Sequence, residues 1–395
     1  RRFFMNKARI SKCDQLFFAS FQEKPLTHFE SFGRLELLGN HTDHQGGKCL
    51  VSACSLSILA SVSKSQNVEV ASEGYPPFRF SIEDLSLKEK EVGTSLSLTK
   101  GCLSYLREKG YKIGGFKASL TSDIFKGAGV SSSAAYEMLI LAIQNVFYNQ
   151  GKIDKKTMAK GGQYSENVYF GKPSGLLDQC GSVFGGVSYV DFFDPENPRV
   201  ESVSFPLEWG LSLYLVNPGG SHEGLSGLYA TIPNDMKNAA GKALGKKRLA
   251  DCDYLSFMEK AFLPSLLTES ERNRALHYFG EVRRVQRAFE ALQEGNRDLF
   301  LEIVRETELS QESLLKNVMV SDNFSHSPFE CVSRAQSLLQ KGSARAMGGG
   351  FFGTVLCFVP NEEKESFLKT MRRYYGEESI SEVFIPNEGA YEVRP

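Results

Sequence analysis

The stretch Ser122-Asp123-Ile124-Phe125-Lys126-Gly127-Ala128-Gly129-Val130-Ser131-Ser132-Ser133-Ala134-Ala135 decides how this chain is read. Gly115–Leu120 before it has the pattern of a short strand, and the run that follows reads as helix through Phe147. Strand, tight glycine turn and helix are therefore expected in that order. Gly127 and Gly129 permit a left-handed backbone and leave room for a ligand to approach the main chain. Three serines then fall where a helix has unpaired N–H groups and the positive end of its dipole, an arrangement that suits phosphate. The plainer reading is a serine-capped turn before a core helix. A Walker loop is excluded, because no lysine follows the second glycine. Ala134, Met138, Leu139, Leu141, Val146 and Phe147 leave the helix apolar nearly all round, so it should be buried.

At 395 residues the chain is long for a single core, and two domains are expected, 1–205 and 206–395. The most linker-like point is Asp194-Pro195-Glu196-Asn197-Pro198. Apolar residues make up 41% and charged residues 24%, the balance of an ordinary globular protein. Lys plus Arg number 46 and Asp plus Glu 47, a net charge of −1 that supports neither a nucleic-acid nor a membrane-surface partner. No apolar run has the length of a transmembrane helix, and Arg1–Lys7 lacks the pattern of a secretory leader. Eight scattered cysteines without a CxxC motif read as buried free thiols in a reducing, cytoplasmic setting.

Further strands are expected at Val51–Val62, Val68–Ser72, Val187–Phe192 and Leu211–Val216. Helices are expected at Leu96–Lys109, at Lys155–Tyr169 and over much of the segment from Gly224 to about 340. The helix from Lys155 must end at Gly171-Lys172-Pro173. Arg345–Pro360 reads as a glycine turn entering a buried strand. No internal repeat is visible.

Three segments resemble, in order, the motifs of the GHMP small-molecule kinase superfamily. Gly33-Arg34-x4-Gly39-Asn40-His41-Thr42-Asp43 is similar to the galactokinase signature. Lys126–Ala134 resembles the superfamily's second motif, and Gly348-Gly349-Gly350-Phe351-Phe352-Gly353 its third. Gly175-Leu176-Leu177-Asp178-Gln179 matches the segment that carries the catalytic aspartate. The resemblance spans roughly residues 30–395. It implies an α+β protein with an N-terminal domain like ribosomal protein S5, a C-terminal ferredoxin-like domain and an active site between them.

The same resemblance implies an ATP- and Mg²⁺-dependent sugar 1-kinase acting on galactose; a monomer is expected. Asp178 takes the place of the catalytic base and Arg34 that of its partner cation. Such a pair is chemically apt: a carboxylate orients or deprotonates a hydroxyl, while a guanidinium keeps it ionised and offsets charge on phosphoryl oxygens. For an isolated Asp and Arg, a structural ion pair would be the plainer reading. Gly127, Gly129, Ser131 and Ser132 are implied to cradle phosphates, and Ser133 with Glu166 to hold Mg²⁺; a solvated helix carboxylate is the plain reading of Glu166. Arg34, Asn40, His41, Asp43, Gly175, Asp178 and Tyr229 are implied sugar contacts. The His41–His44 loop, otherwise a polar turn, also offers metal ligands, but too few without partners elsewhere.

Asn40 stands where the family usually carries Glu toward the sugar's C6 hydroxyl. It removes a charge, so a C6 carboxylate is expected to be repelled less. Phe352 replaces a glycine, and the residues after Tyr229 depart from the usual Arg-rich pattern. The alternatives are sister kinases of galacturonate, arabinose or N-acetylgalactosamine, or a silent sugar-and-ATP sensor. The intact serine loop, Asp178 and Arg34 favour an enzyme. Kinases of mevalonate or homoserine type lack the Gly33–Asp43 signature, and Ser221-His222-Glu223 resembles a hydrolase triad in composition alone.

Overall fold

The computed structural model describes residues 2–125, 127–219, 226–320, 326–351 and 353–393. Lys126, the Ser221-His222-Glu223 trio and Phe352 thus lie outside the described residues.

An amphipathic helix, α1 (Arg2–Phe21), leads into β1 (Thr27–Leu38) and the long β2 (Lys48–Ser65), followed by β3 (Asn67–Ser72) and β4 (Phe78–Ser81). Helix α2 (Ser95–Glu108) is capped by Thr94, whose side chain accepts from the Ser97 N–H. Then come β5 (Gly115–Ser122), α3 (Ser132–Asn149), α4 (Lys155–Tyr164) and α5 (Leu177–Phe184), and the hairpin β6 (Val187–Asp191) and β7 (Arg199–Val203). The linker-like Asp194–Pro198 is the turn of that hairpin.

Beyond it lie β8 (Leu211–Val216), α6 (Ser226–Leu244), α7 (Tyr254–Ala261), α8 (Glu269–Gln293), α9 (Arg297–Ser310) and α10 (Pro328–Leu338). Four strands and one helix complete the chain: β9 (Ser343–Ala346), β10 (Val355–Pro360), α11 (Lys364–Tyr375), β11 (Ile380–Val383) and β12 (Tyr391–Val393).

The strands form two sheets. One has eight strands along the path β12-β1-β2-β5-β3-β4, with β6 and β7 added on the early part of β2. Its β3–β5 pair is parallel. The other runs β11-β8-β10-β9, all antiparallel, with helices between β8 and β9 and between β10 and β11. That β-α-β-β-α-β order is the expected ferredoxin-like one. The 205/206 division falls between β7 and β8, but the chain does not stay on one side of it: β12 returns to pair with β1.

Helix α3 is buried over most of its length, with Met138, Leu139, Ile140, Leu141 and Ile143 all inaccessible, while Val146 near its end is exposed and Phe147 only partly buried. A second apolar cluster joins Leu35, Leu50 and Tyr189 of the first sheet to Leu215 and Phe358 of the second and to Phe289 and Phe300 of α8 and α9. The two units therefore share a core, and the strand carrying Arg34 runs along their seam. No helix among the described residues is long and apolar enough to cross a membrane. All eight cysteines are free, seven of them buried.

Candidate active site

The β1–β2 ladder slips register between Phe32 and Gly33. Such an irregularity re-aims the side chains that follow it. Arg34, next in the chain, is nearly buried, and its backbone N–H donates to Val130 O at 2.8 Å. The signature strand is thereby tied directly to the glycine-serine turn.

That turn leads into α3, and Ser131 sits at the N-cap with a left-handed backbone (φ 57°) and no capping side-chain hydrogen bond. Its hydroxyl instead donates to Asp178 Oδ2 at 2.8 Å. The N–H groups of the first turn are thus left facing outward from a helix N-terminus. Gly129 has φ +69°, and a Cβ there would lie 2.8 Å from Thr354 Oγ1, so close approach as well as backbone conformation requires glycine. Thr354 in turn donates to Gly127 O at 3.0 Å, joining the turn to the second sheet.

Asp178 is in the first turn of α5. Its Oδ1 accepts from Arg34 Nε at 2.7 Å. Burial alone would raise its pKa. The positive charges of Arg34 and Lys172, with hydrogen bonds from Ser131 and Arg34, outweigh that and hold the carboxyl below its usual range. It is an ionised group poised to accept.

Two cavities meet here. The smaller, about 250 Å³, is lined by Arg34, Glu36, Asn40, His41, Asp43 and Gly175, among others, and by Asp178. The larger, about 950 Å³, contains Gly127, Gly129, Ser131, Ser132 and Ser133 together with apolar and aromatic residues such as Ile58, Tyr75, Leu98 and Tyr136. The structure therefore gathers the residues singled out from sequence into two adjoining spaces, with two exceptions.

Tyr229 is the first exception. It does not line the smaller cavity; its ring packs on Gly349 and Phe351, and its hydroxyl lies 3.4 Å from Gly350 O. It buttresses the third glycine turn, whose Gly348 and Gly349 do line the cavity. Glu166 is the second. It is fully buried and borders neither cavity, lying behind Ser133, whose hydroxyl donates to its Oε1 at 2.5 Å. Lys172, Ser174 and Gln179 also donate to the Glu166 carboxylate, at 3.2, 2.6 and 3.1 Å. Gln179 Nε2 bridges onward to Glu137 Oε2 at 3.0 Å. Of the two, Ser133 alone opens on the phosphate-sized space, and Glu166 stands one hydrogen bond behind it; a Mg²⁺ ion seated at Ser133 would take its remaining ligands from water and phosphates and draw on Glu166 from behind. Among the described residues no group of three or more His, Cys, Asp or Glu could hold a metal.

The sugar-signature loop is tightly built. His41 is left-handed (φ 58°), and its ring lies 5.7 Å from that of His44. Burial lowers His41 to about 3 and His44 to about 4, so both are neutral near pH 7. Burial raises Asp43 to about 6. A Cβ at Gly175 would strike the Asp43 carboxylate, which therefore reaches into the space that glycine leaves.

Asn40 is buried and saturated. Its Nδ2 donates to Glu36 Oε1 (2.7 Å) and Gly348 O (2.5 Å), while its Oδ1 accepts from Asn317 (2.7 Å) and Gln311 (3.2 Å). An amide has no further sites, so a direct bond to a sugar would have to displace one of these. Glu36, which sequence reading passed over, restores the carboxylate that Asn40 lacks. It lines the same cavity and pairs with Arg345 Nη2 at 2.9 Å. Burial raises the Glu36 pKa, against the pull of Arg345 and Arg34.

The GHMP kinases N terminal domain family matches residues 97–186, and the galactokinase galactose-binding signature matches residues 15–64. A galactokinase of Pyrococcus furiosus is 30% identical over 355 residues, covering 88% of this chain and 92% of that one. The chain belongs to the galactokinase family. A galactokinase of Lactobacillus helveticus is 29% identical over 392 residues, 94% of each chain. Among solved structures, Lactococcus lactis galactokinase complexed with galactose superposes with a TM-score of 0.81 at 22% identity, covering 98% of this chain and all of that one. A mevalonate kinase gives 0.64 at 17% identity, over 91% and 99%. Both share the GHMP kinase fold with this galactokinase-family chain.

Proposed function

We propose that this protein transfers the γ-phosphoryl group of ATP to the anomeric hydroxyl of galactose, giving α-D-galactose 1-phosphate and ADP. The observation that carries the reading is the meeting of Arg34, Asp178 and the Ser131 loop where a sugar-sized cavity opens into a larger one.

Galactose occupies the smaller cavity, with hydroxyls against His41, Asp43 and the backbone at Gly175. The triphosphate lies along Gly127–Ser133 on the N-terminus of α3, and the base among Ile58, Tyr75, Leu98 and Tyr136. Asp178 accepts the proton of the C1 hydroxyl as its oxygen bonds to phosphorus; the bond from phosphorus to the bridging oxygen breaks, and ADP leaves. The transition state is loose, so Asp178 orients as much as it deprotonates, and Arg34 offsets phosphoryl charge. Ser133 and Glu166 would hold Mg²⁺, which supplies charge neutralisation on the phosphates when bound.

The proposal includes a division into 1–205 and 206–395, with β12 returned to the first unit, a monomeric state and a cytoplasmic location, since eight free thiols suit a reducing compartment. The test is a kinase assay with ATP and Mg²⁺ over galactose, galacturonate, arabinose, glucose and N-acetylgalactosamine. Galactose is expected to be the best substrate; no galactose turnover would sink the reading. Because Glu36 returns a carboxylate beside Asn40, galacturonate is now expected to react more slowly than galactose.

A further inference from the structure

The two cavities have five lining residues in common: Arg34, Lys172, Asp178, Gly348 and Gly349. That intersection is where a sugar in one and a triphosphate in the other come together. The glycines bring only backbone to it. Arg34 and Asp178 already have roles in the reaction, whereas Lys172 has so far been only a neighbouring charge to Asp178 and a donor to Glu166.

Lys172 is held at a defined place. Helix α4 continues as a π-turn over Ser165–Phe170, and Gly171 then takes a left-handed conformation (φ 79°). The N–H groups of both Gly171 and Lys172 donate to Glu166 O, and Pro173 follows. The stem is therefore anchored while the side chain stays half exposed, at 52%. Among the described residues its Nζ makes one hydrogen bond, to Glu166 Oε1 at 3.2 Å. An ammonium has three donors, so two remain for other oxygens.

The charge distribution of the larger cavity singles out the same group. Its described lining contains two cations, Arg34 and Lys172. The loop from Gly127 to Ser133 has no charged side chain. Arg34 is committed through Nε to Asp178 and through Nη1 to Gly129 O. Lys172 is the one with donors to spare, a compact charge at the end of a long half-exposed side chain, able to reach a group moving between two oxygens.

We infer that Lys172 is a further catalytic residue of this site, its ammonium contacting the oxygens of the phosphoryl group as it passes from nucleotide to sugar. The inference rests on the kinase reading above. Lys172 exchanges no proton; the sugar hydroxyl proton still goes to Asp178, and the bond broken is still that from phosphorus to the bridging oxygen. The ammonium balances negative charge on the transferred group.

The alternative is a brace, in which Lys172 only steadies Glu166. Full-length K172A and K172R separate the two when assayed with ATP and galactose across a Mg²⁺ series and titrated calorimetrically with ATP without sugar. Catalytic contact predicts that K172A loses about 10- to 100-fold in kcat at saturating Mg²⁺, less than a fully buried donor because the site is half open. The Mg²⁺ concentration for half-maximal rate stays put, ATP binds about three- to tenfold more weakly, and K172R recovers most of the loss because it keeps the charge. A kcat within about twofold of wild type, or a loss that high Mg²⁺ abolishes, overturns the inference. Should the wild-type protein phosphorylate none of the sugars, the kinase reading fails, and the ATP titration still decides: equal affinity in K172A and wild type overturns the role of Lys172.

Discussion

Arg34 Nε and Asp178 Oδ1, 144 positions apart, lie 2.7 Å from one another, and the same guanidinium also reaches Gly129 O on the glycine-serine turn. A planar fork serves both partners at once; a lysine ammonium in its place cannot hold that geometry. R34K is expected to lower kcat by about 10²–10³-fold, the loss typical of one fixed transition-state donor. Steady-state kinetics measure it, and an unaltered kcat would mean that the fork plays no part in transfer.

Ser131 acts on Asp178 rather than on its own helix. S131A removes a hydrogen bond to the ionised carboxylate, which raises its pKa. The acidic limb of kcat/KM against pH should move to higher pH, and because the same bond favours the folded, ionised carboxylate, the melting temperature at neutral pH should fall as well. A limb that does not move contradicts the assignment.

Individual elements were legible from local patterns, while the two-domain fold and the centre of the site were implied by the resemblance of three segments to the kinase motifs. Glycines, serines and an apolar helix specify the phosphate turn, and Leu211–Val216 is the strand its residues suggested. Arg34, Asp178 and Gly175 were singled out by the resemblance of their segments to those motifs, and the structure brings them together around one cavity. The missing pieces are those that only tertiary contact creates. The three residues of β12 are too few to show a period, and Ser343–Ala346 is a short strand whose second half, Arg345 and Ala346, was read as part of the glycine turn. The π-turn at Ser165–Phe170 has the composition of ordinary helix. Glu36 falls among the four unspecified positions of the signature, and nothing near it in sequence announces Arg345, Gln311 or Asn317.

Those distant partners make Asn40 a structural keystone. N40A strands two buried amides and deprives Glu36 of a donor, and each unsatisfied buried group costs about 1–3 kcal/mol. Denaturant unfolding should show a loss of at least about 2 kcal/mol. N40E should be worse, since it sets a second buried carboxylate against Glu36. A variant as stable as wild type would show that the network contributes little.

The sugar loop should respond to acid. Burial puts Asp43 at about 6, so it takes up a proton as pH falls through that value, while His41 and His44, lowered to about 3 and 4, remain neutral. The KM for sugar should therefore rise below pH 6, and D43N should lack that rise. Stability follows the opposite signs. Asp43 favours the folded state as pH falls from about 6 toward the unfolded value of 3.8, whereas each histidine favours it above 6.5 and withdraws that support as pH falls toward its folded value. H44Q should flatten the decline in melting temperature below pH 6.5; equal slopes in both proteins would contradict the histidine's part.

The account turns on Asp178 as the group that receives the sugar's proton. D178N keeps the shape of the side chain and removes its basicity. With ATP, Mg²⁺ and galactose, turnover is predicted to drop by about 10²–10⁴-fold while calorimetry still finds both ligands bound with affinities near those of wild type. Turnover equal to that of the unmodified protein would show that the chemistry lies elsewhere.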